Sequence, residues 1–416
     1  MDIDSDGWLD LVVLRVGENK LLRGGPDCRF SPFPASLGFT SGDHWTTAFS
    51  ATWEGRNSLP TLAFGNYVDR SNPKGPFRAC DRNFLYRPKA GRYLAPRALA
   101  PGFCPLSMLF TDWGRKGRAD LRVSNDRHYY VSGGGEQMWA MEPEPRLYSA
   151  ADGWRSYSLW GMGIASRDIT GDGLPEVFLS SMGDQKLQIL DPAAKGPAYD
   201  DATYGRGTTA QRPYTGDDGR PSTGWHIAFG DAQNDGRDDV FITKGNVQEM
   251  PGLAMQDPNN LLLQKADGTF LEAGLQAGLA DMARGRGASF SDLNLDGRLD
   301  IVVVNRMAPL RVYQNMTPKA GHWLLLGLSQ PAPNRNAVGA WVEVTEGPRH
   351  WTREITVGGG HASGAAGLLH FGLGTATRAR LRVIWPGGAT TPWLALDTDR
   401  IIRLTRAGQG LHAAPF

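Results

Sequence analysis

The sequence contains little cysteine, no long apolar run and no excess of either charge. Its three cysteines, Cys28, Cys80 and Cys104, are an odd number and fit no complete disulfide framework. Cys80 and Cys104 either pair across a local insertion or, like Cys28, stay thiols. No apolar run approaches the roughly 18 residues of a membrane-spanning helix. A formal net charge of +1 gives no global field for nucleic acid or an anionic membrane. We therefore expect neither a nucleic-acid partner nor a membrane span.

Familiar catalytic and targeting motifs are also missing. The sequence has no G-x-S-x-G, H-E-x-x-H or C-x-x-C pattern, so we assign no catalytic residue and leave enzymatic activity open, leaning against it. The first residues lack the basic and apolar segments of a signal peptide. Because they lie inside a repeated motif, described next, we expect that the start is truncated or misassigned.

Glycine is abundant instead, with 53 of 416 residues, and a pattern containing it recurs along the chain. An acidic nine-residue loop with glycine at position six is followed at once by a short apolar run. Well-formed copies are loop 1 (2–10), loop 4 (168–176), loop 5 (231–239) and loop 6 (292–300). Loop 3 (112–120) is a decayed copy, and loop 2, around residues 51–60, is weaker still.

Each loop is preceded by a strand-like segment rich in small residues and followed by a β-branched strand. Trp45 and Trp225 occupy the same register before their loops. One repeat of about fifty to sixty residues therefore reads as strand, loop and three further strands, which is the blade of a β-propeller. Small residues near the loops indicate inner strands packed around a crowded axis.

The loops present hard oxygen donors without sulfur or imidazole, which suits calcium. Position twelve is apolar where an EF-hand needs glutamate, and strands rather than helices flank the loops. In loop 3, Lys116 replaces the acid at position five, so we predict no metal there and expect its ammonium to neutralise the remaining carboxylates. We predict up to four structural calcium ions, each held by positions one, three, five, seven (through the carbonyl) and nine. The predicted ligands are Asp2, Asp4, Asp6, Trp8 and Asp10; Asp168, Thr170, Asp172, Leu174 and Glu176; Asp231, Gln233, Asp235, Arg237 and Asp239; and Asp292, Asn294, Asp296, Arg298 and Asp300.

The tail of the chain carries four further motifs. They are N-x-x-G-A from Asn336, T-R-E at 352–354, H-F-G-L-G at 370–374 and W-P-x-G from Trp385. These motifs resemble the ASPIC/UnbV domain, and the loops resemble the FG-GAP/VCBS repeats of integrin-like propellers. Together they resemble a bacterial member of the cartilage acidic protein family.

The resemblance implies an all-β chain with an FG-GAP/VCBS propeller at 1–318 and a small β-sandwich-like ASPIC/UnbV domain at 319–416. It implies a seven-bladed plan, of which six loop positions are visible here, in preference to a closed six-bladed ring. It also implies an extracellular or periplasmic location, whereas a biosynthetic role would allow a cytoplasmic one. The region 66–105, which contains Cys80, Cys104 and several arginines, departs from the repeat and is a candidate specialised surface.

The histidines and tryptophans leave two readings open. His44 and His226 lie near the starts of inner strands, where they either form a site at the channel mouth or hydrogen-bond at its rim. His370 is expected to pack within the small domain. Five tryptophans either line a carbohydrate or aromatic pocket or pack between blades: Trp45, Trp53, Trp154, Trp160 and Trp225.

Three functions follow from these observations together with the family resemblance, which implies the biosynthetic and the adhesion alternatives. The favoured one is a non-catalytic, calcium-stabilised binding or assembly protein whose ligand is a protein, a carbohydrate or a small molecule. The first alternative is an enzyme or accessory protein of enediyne-type natural-product biosynthesis, acting at the propeller mouth or the domain junction. The second is an adhesion or matrix protein, which a large exposed apolar patch would favour.

Overall fold

The computed structural model describes residues 1–126, 133–216, 219–364, 367–408 and 410–416. The chain opens with four short strands, β1 (Leu11–Val13), β2 (Val16–Gly17), β3 (Lys20–Gly24) and β4 (Phe30–Pro32). Blade 1 consists of β1, β3 and β4, and β2 pairs with the following sheet. Blade 1 therefore begins at the strand after its loop.

Blade 2 contains the longest inner strand and a small added hairpin. Its strands and hairpin are β5 (His44–Thr52), β6 (Thr61–Asn66), β7 (Asn83–Tyr86), β8 (Pro88–Lys89), β9 (Arg92–Tyr93) and β10 (Arg97–Leu99). The sheet order is β10-β7-β6-β5-β2, and β8 and β9 pair separately.

Blades 3, 4 and 5 are antiparallel four-stranded sheets in chain order. Blade 3 has β11 (Pro105–Thr111), β12 (Asp120–Asn125), β13 (Gln137–Ala140) and β14 (Arg146–Leu147). Blade 4 has β15 (Gly161–Arg167), β16 (Glu176–Ser181), β17 (Lys186–Leu190) and β18 (Tyr199–Asp201). Blade 5 has β19 (Gly224–Gly230), β20 (Asp239–Lys244), β21 (Asn260–Gln264) and β22 (Phe270–Glu272).

Blade 6 is a three-stranded sheet, and helical structure is sparse. Its strands are β23 (Gly285–Ser291), β24 (Asp300–Asn305) and β25 (Arg311–Tyr313). The α-helix α1 spans Thr203–Arg206, and 3₁₀ turns span Pro26–Cys28, Ala35–Leu37, Pro76–Arg78 and Ala150–Asp152. In the part of the chain that the structure describes, no helix has the length and apolar character needed to cross a membrane.

The C-terminal domain is a sandwich of two four-stranded sheets around one apolar core. One sheet has the order β29-β26-β32-β33 and the other β28-β27-β30-β31. The buried core side chains between them include Leu324, Val342, Phe371 and Leu381. The strands are β26 (His322–Ser329), β27 (Trp341–Glu346), β28 (Arg349–Glu354), β29 (Leu369–Gly374), β30 (Arg378–Ile384), β31 (Leu394–Asp397), β32 (Arg400–Ala407) and β33 (Gly410–Pro415).

The inner strands β5, β11, β15, β19 and β23 pack side by side around the axis. Each has a register shift against the second strand of its blade near the end away from its loop. A side chain at Gly163 would come within 2.6 Å of the Trp225 carbonyl oxygen, because the strands approach so closely. The small residues in these segments are therefore required by crowding at the axis.

Six propeller sheets are present among the described residues, as many as the loop positions visible in the sequence, and the seven-bladed plan implied by the resemblance stays a prediction. Buried clusters join each blade to the next from blade 1 to blade 6. Within the described ranges, no such cluster joins blade 6 to blade 1. Exposed large apolar side chains are frequent on these two blades and their adjoining loops: Trp8, Leu11, Val16, Phe30, Leu293, Val304, Met307, Leu310, Val312 and Met316. Blades 1 and 6 thus carry the unfilled packing surfaces of the propeller.

Candidate metal loops and the domain interface that covers them

The acid at position one shapes each loop from within. In loop 5, Asp231 accepts the N–H groups of Asp235 (3.0 Å) and Gly236 (2.7 Å). Loops 1, 3 and 6 repeat this pair of bonds. In loop 4 the donors to Asp168 are Gly171 and Gly173. The glycine at position six has a positive φ in all five loops, which explains its recurrence.

The acid at position nine ties the loop to the third strand of its blade. Asp239 accepts the N–H groups of Ala232 and Gln264, both at 2.9 Å. Asp10 and Asp300 make the matching pairs of bonds in loops 1 and 6. Positions one and nine therefore have a structural role in these hydrogen bonds whether or not a metal is bound.

Loop 1 brings three carboxylates together. Ligand oxygens of Asp2, Asp4 and Asp10 lie within 4.8 Å of one another, and they are the only such group of acidic, His or Cys side chains among the described residues. Oδ1 of Asp4 is buried and has no hydrogen-bond partner. The other Asp4 oxygen lies 2.6 Å from Nε of Arg23, which also contacts Asp6 at 2.9 Å. The donor set fits a hard cation, with Arg23 as a competing positive charge.

Loops 4 and 5 also contain buried acceptor atoms without a donor. These are Oε1 of Glu176 and Oε1 of Gln233. Burial raises the pKa of Glu176 to about 8 and that of Asp231 to about 7. Unpaired acceptors in a desolvated acidic loop are what a bound cation would satisfy.

Arginines already neutralise the position-five acids of loops 5 and 6. Arg237 pairs with Asp235, and Arg298 lies 2.5 Å from Asp296. Asp296 also accepts the side-chain amide of Asn294 at 3.1 Å. Loops 4 to 6 do not bring three acidic side chains together as loop 1 does.

Lys116 in loop 3 does not take the position expected for it. Its ammonium lies 4.7 Å from the centre of the Trp113 ring, and it forms no ion pair within the described ranges. Glu354 of the C-terminal domain contacts this loop instead, accepting the Asp112 N–H at 2.8 Å and the Thr111 hydroxyl at 2.7 Å. The expected neutralisation by Lys116 is therefore wrong.

The C-terminal domain covers the loop face, and its T-R-E motif lies at the contact. Besides the Glu354 bonds, Thr352 donates to Asp168 at 2.9 Å, and Arg353 pairs with Asp238 at 2.9 Å with both side chains buried. Three successive residues thus contact loops 4, 5 and 3.

The other tail motifs contact the remaining loops. Asn336 Oδ1 accepts the Asp2 N–H at 2.7 Å in loop 1. His370 lies 3.1 Å from the Gly297 carbonyl of loop 6, so this histidine packs at the domain interface and not only within its domain. A side chain at Gly372 would come within 1.9 Å of Asp231, which explains a glycine there.

A strap of residues 357–363 crosses the axial channel. It contacts the inner strands of blades 2 to 6 in order. Val357 forms a β-bridge with Ala51. The N–H groups of Gly359 and Gly360 donate to the carbonyl oxygens of Met108 and Ile164, respectively, both at 2.7 Å. The Ser363 hydroxyl accepts the N–H of Ala288. A side chain at Gly358, whose φ is +117°, would meet the Met108 carbonyl oxygen at 2.6 Å. The strap therefore depends on its glycines.

The two candidate histidines have separate partners. His44 Nδ1 lies 2.7 Å from Asp81. His226 Nδ1 accepts the His361 N–H of the strap at 3.1 Å and lies 2.7 Å from the Ser363 hydroxyl. Burial lowers the pKa of His226 and of His361 to about 4, so both are neutral at pH 7. The structure does not bring His44 and His226 into one site.

The five candidate tryptophans do not line one common pocket. Trp154 is buried between blades 3 and 4, whereas Trp160 and Trp225 pack in an apolar cluster at the channel mouth. Trp225 donates to the Gly245 carbonyl at 2.7 Å, and the Arg286 guanidinium lies 3.9 Å from its ring centre. Trp45 packs edge-on against Tyr67, and Trp53 is half-buried. These contacts are those of packing residues.

Cys80 and Cys104 form a disulfide, and Cys28 is exposed and free. The bond joins the loop after β6 to the residue before β11, which settles the pairing that the sequence left open.

Sequence reasoning missed the residues of the domain interface. Arg115 contacts Glu343 at 2.5 Å, and Arg353 and Glu354 contact residues more than a hundred positions away. The one available signal was that charged residues of the T-R-E motif fall in a strand of a small domain, where an uncompensated charge needs a partner.

The strand order and the loops define the class: a β-propeller with acidic loops on one face and a β-sandwich domain docked over them. Residues 330–410 match the family described as ASPIC and UnbV. The chain is therefore a propeller followed by an ASPIC/UnbV domain, and it is similar to cartilage acidic protein 1.

Human cartilage acidic protein 1 is 28% identical over 165 residues, covering 38% of this chain and 22% of that protein. The Xenopus tropicalis protein is 34% identical over 91 residues, covering 22% and 12%. The matched part thus spans about a fifth or less of these relatives. Among solved structures, an Agrocybe aegerita lectin described as recognising non-reducing terminal N-acetylglucosamine superposes with a TM-score of 0.40 at 14% identity, covering 75% of this chain and 78% of that one. Trypanosoma rangeli sialidase superposes with a TM-score of 0.37 at 10% identity, covering 98% and 86%.

Proposed function

We propose that this chain is a non-catalytic binding and assembly protein whose propeller loops take calcium ions. The observation that carries the proposal is the strap. The blades of a propeller surround a central channel, and a concave pocket is the default place for an active site, yet backbone of residues 357–363 crosses this channel and contacts the inner strands.

Calcium is supported by the donor set in loop 1. Asp2, Asp4 and Asp10 converge, and one Asp4 oxygen is buried without a donor. A bound ion would offset repulsion between these carboxylates. Loops 4 and 5 contribute the unpaired oxygens of Glu176 and Gln233. Loop 6, with Asp296 paired to Arg298, is the weakest of the four predicted sites.

Export from the cytoplasm is part of the proposal. The Cys80–Cys104 disulfide supports it, because such bonds persist in oxidising compartments. An extracellular or periplasmic protein would also meet calcium at concentrations that fill moderate-affinity loops.

The test is thermal unfolding of the purified chain in calcium and in excess chelator. Calcium at a hundred times Kd should stabilise the fold by about 2.7 kcal/mol per site. Asp4→Asn should reduce the calcium-dependent shift, and Asp27→Asn, an exposed aspartate outside the loops, should leave it unchanged. Equal midpoints for the wild type in calcium and chelator would contradict the calcium proposal.

An adhesion or matrix role is a second candidate, favoured by the exposed apolar side chains of blades 1 and 6. Met307 is 84% exposed and Val312 is 59% exposed. Sedimentation equilibrium should show concentration-dependent association that Met307→Asp with Val312→Asp abolishes. A monomer at all concentrations for the wild type would count against self-association through this surface.

A further inference from the structure

Three arginines cluster at the end of blade 6 that lies away from the metal loops. Arg284 precedes β23, Arg286 is the second residue of that strand, and Arg306 follows β24. Because β23 runs towards loop 6 and β24 runs away from it, these residues lie at the loop-distal end of the blade. The C-terminal sandwich contacts the loops, so this arginine cluster lies on the face that the sandwich does not cover.

The guanidinium groups of the arginine cluster are held by neutral acceptors. Arg286 Nη2 donates to the carbonyl oxygens of Asn246 (2.9 Å) and Val247 (2.8 Å), and Arg306 Nη1 donates to that of Val247 at 2.5 Å. Two cationic groups thus share one carbonyl oxygen. Arg284 is partly exposed, and its side chain has no hydrogen bond to any residue that the structure describes. Carbonyl acceptors orient a guanidinium group and leave its positive charge in place.

The balance of charge around the arginine cluster is positive. The segments that meet there are 245–250, 281–286 and 305–311, and they contain four arginines and two acids. Of the acids, Asp281 pairs with Arg311 at 3.2 Å, and Glu249 is exposed. The buried Lys244–Asp257 pair next to these segments is neutral overall. Two positive charges are left, and one is left even when the acid at the end of β22 is counted.

The environment of Arg286 agrees with this balance. Burial and the positive charges of Arg306 and Arg284 lower the pKa of Arg286 to about 9, and no carboxylate among the described residues opposes the shift. Arg286 therefore stays charged at pH 7. Its guanidinium lies 3.9 Å from the ring centre of Trp225, which also contacts His361 of the strap. Like charges held together in this way favour a partner that brings carboxylates.

Exposed apolar side chains adjoin the arginine cluster. Met307 directly follows Arg306, and Leu310 lies in the same turn; both are exposed. Interfaces between proteins combine apolar side chains with a polar rim and are enriched in methionine and arginine. A polysaccharide would meet the arginines but would leave Met307 and Leu310 in water. The combination therefore fits a polypeptide with acidic and apolar residues.

We infer that this end of blade 6 binds an acidic segment of a partner protein, whose carboxylates pair with Arg284 and Arg306 and whose apolar side chains cover Met307 and Leu310. The inference rests on the binding and assembly role proposed above and names the chemistry of the partner. It does not require calcium, because the arginine cluster and the loops lie at opposite ends of the blade.

The test is fluorescence anisotropy with a labelled peptide of three Glu-Leu-Glu-Gly repeats. This peptide should bind, its counterpart with Gln in place of Glu should not, and the affinity should fall as salt is raised. Arg284→Gln should weaken binding several-fold, and Arg284→Gln with Arg306→Gln should weaken it about tenfold or more, since two charge-assisted contacts are lost. The matched control is Arg56→Gln, which removes an exposed arginine of loop 2 on the other face.

Four results would overturn the inference. They are equal binding of the neutral peptide, an equal loss of affinity in the Arg56→Gln control, unchanged affinity in the double variant, and tighter binding of a sulfated oligosaccharide of the same charge. Each variant is first melted in calcium and in chelator, which also shows that it is folded. An intact calcium shift without peptide binding refutes this inference alone, whereas peptide binding without a calcium shift refutes the calcium proposal alone.

Discussion

Loops 1 and 3 have the same backbone design but differ in the residues that face a metal. In both, the position-one acid accepts two N–H groups of its own loop. In both, the C-terminal domain accepts the N–H of that acid, through Asn336 in loop 1 and Glu354 in loop 3. Loop 1 also brings three carboxylates together, whereas loop 3 has Gly114 and Lys116 at positions three and five. The difference teaches that the loop conformation and the metal site are separate properties of one motif.

The largest expected loss of stability comes from removing the carboxylate at position nine, which accepts hydrogen bonds in both loops. Asp120 of loop 3 accepts Trp113 Nε1 (2.8 Å), the Tyr148 hydroxyl (2.7 Å) and the Met141 N–H (3.0 Å). Asp120→Ala leaves three donors unpaired and should cost about 3 kcal/mol or more in chelator. Denaturant unfolding measures this, with Glu249→Ala, which removes an exposed acid outside the loops, as the control. A cost below about 1 kcal/mol would show that position nine is not structural.

The next largest effect is expected from substitutions that give loop 3 the acidic residues of loop 1. Gly114→Asp with Lys116→Asp supplies the two missing ligand positions, and Gly114 has an ordinary φ. We expect this variant to gain about 2.7 kcal/mol over the wild type in calcium at a hundred times Kd of the new site. The matched control is Gly114→Ala with Lys116→Ala. The separation of conformation from metal binding fails if the acidic variant gains no calcium response.

A smaller effect concerns the two side chains of the C-terminal domain that accept the N–H of the position-one acid, which are Glu354 at loop 3 and Asn336 at loop 1. Burial raises the pKa of Glu354 to about 8, although bonds from Asp112 and Thr111 oppose the shift. The folded state thus holds a proton that the unfolded chain loses near pH 4.5, so stability falls as pH rises through this window and levels off above about 8. The decrease should be about 1 kcal/mol between pH 6 and 7.

Glu354→Gln should reduce the fall in stability between pH 6 and 7 by about 1 kcal/mol, because the amide does not titrate, whereas Glu176 and Asp231 continue to contribute to it. Asn336→Asp is the converse substitution at loop 1: it introduces a titrating carboxyl group there and should add a pH dependence to the stability. Urea unfolding from pH 5 to 9 in chelator measures both. An unchanged slope in Glu354→Gln would assign the pH dependence to other groups.

The smallest effect concerns Arg23, the cation beside loop 1. The side chain is 46% exposed, so its pairs with Asp4 and Asp6 are worth about 0.2–1 kcal/mol. Arg23→Gln should lower stability by that amount in chelator and tighten calcium binding at loop 1, since a competing positive charge is gone. Calcium titration calorimetry checks the second part. Weaker binding in Arg23→Gln would show that Arg23 supports the site instead of competing with it.

Much of the propeller could be predicted from the sequence because its determinants are local. Asp231 and Gly236 lie in one turn, so the periodic loops and the strands that follow them are visible in the chain. The tail motifs indicated an ASPIC/UnbV domain for the same reason. The metal-bound state of the loops stays a prediction.

The contacts between domains could not be predicted, because the partners lie far apart in sequence. Nothing near Lys116 indicates that Glu354 contacts its loop, and nothing near His226 indicates the strap. The Cys80–Cys104 pairing was equally open, since two cysteines in an irregular segment specify no distance. Each of these contacts depends on how distant parts of the chain are brought together in the fold.

The strap also sets an order of assembly during synthesis. Val357 bridges to Ala51, about three hundred residues earlier, and Ser363 contacts blade 6. A ribosome releases blades 2 to 6 before the strap is synthesised. Until then, the polar groups of the inner strands that the strap later contacts are exposed to water. Closing such distant contacts is slow. We therefore infer that the nascent propeller is a less stable intermediate, which the last quarter of the chain stabilises. A chain truncated before residue 355 should be more sensitive to protease than the full chain.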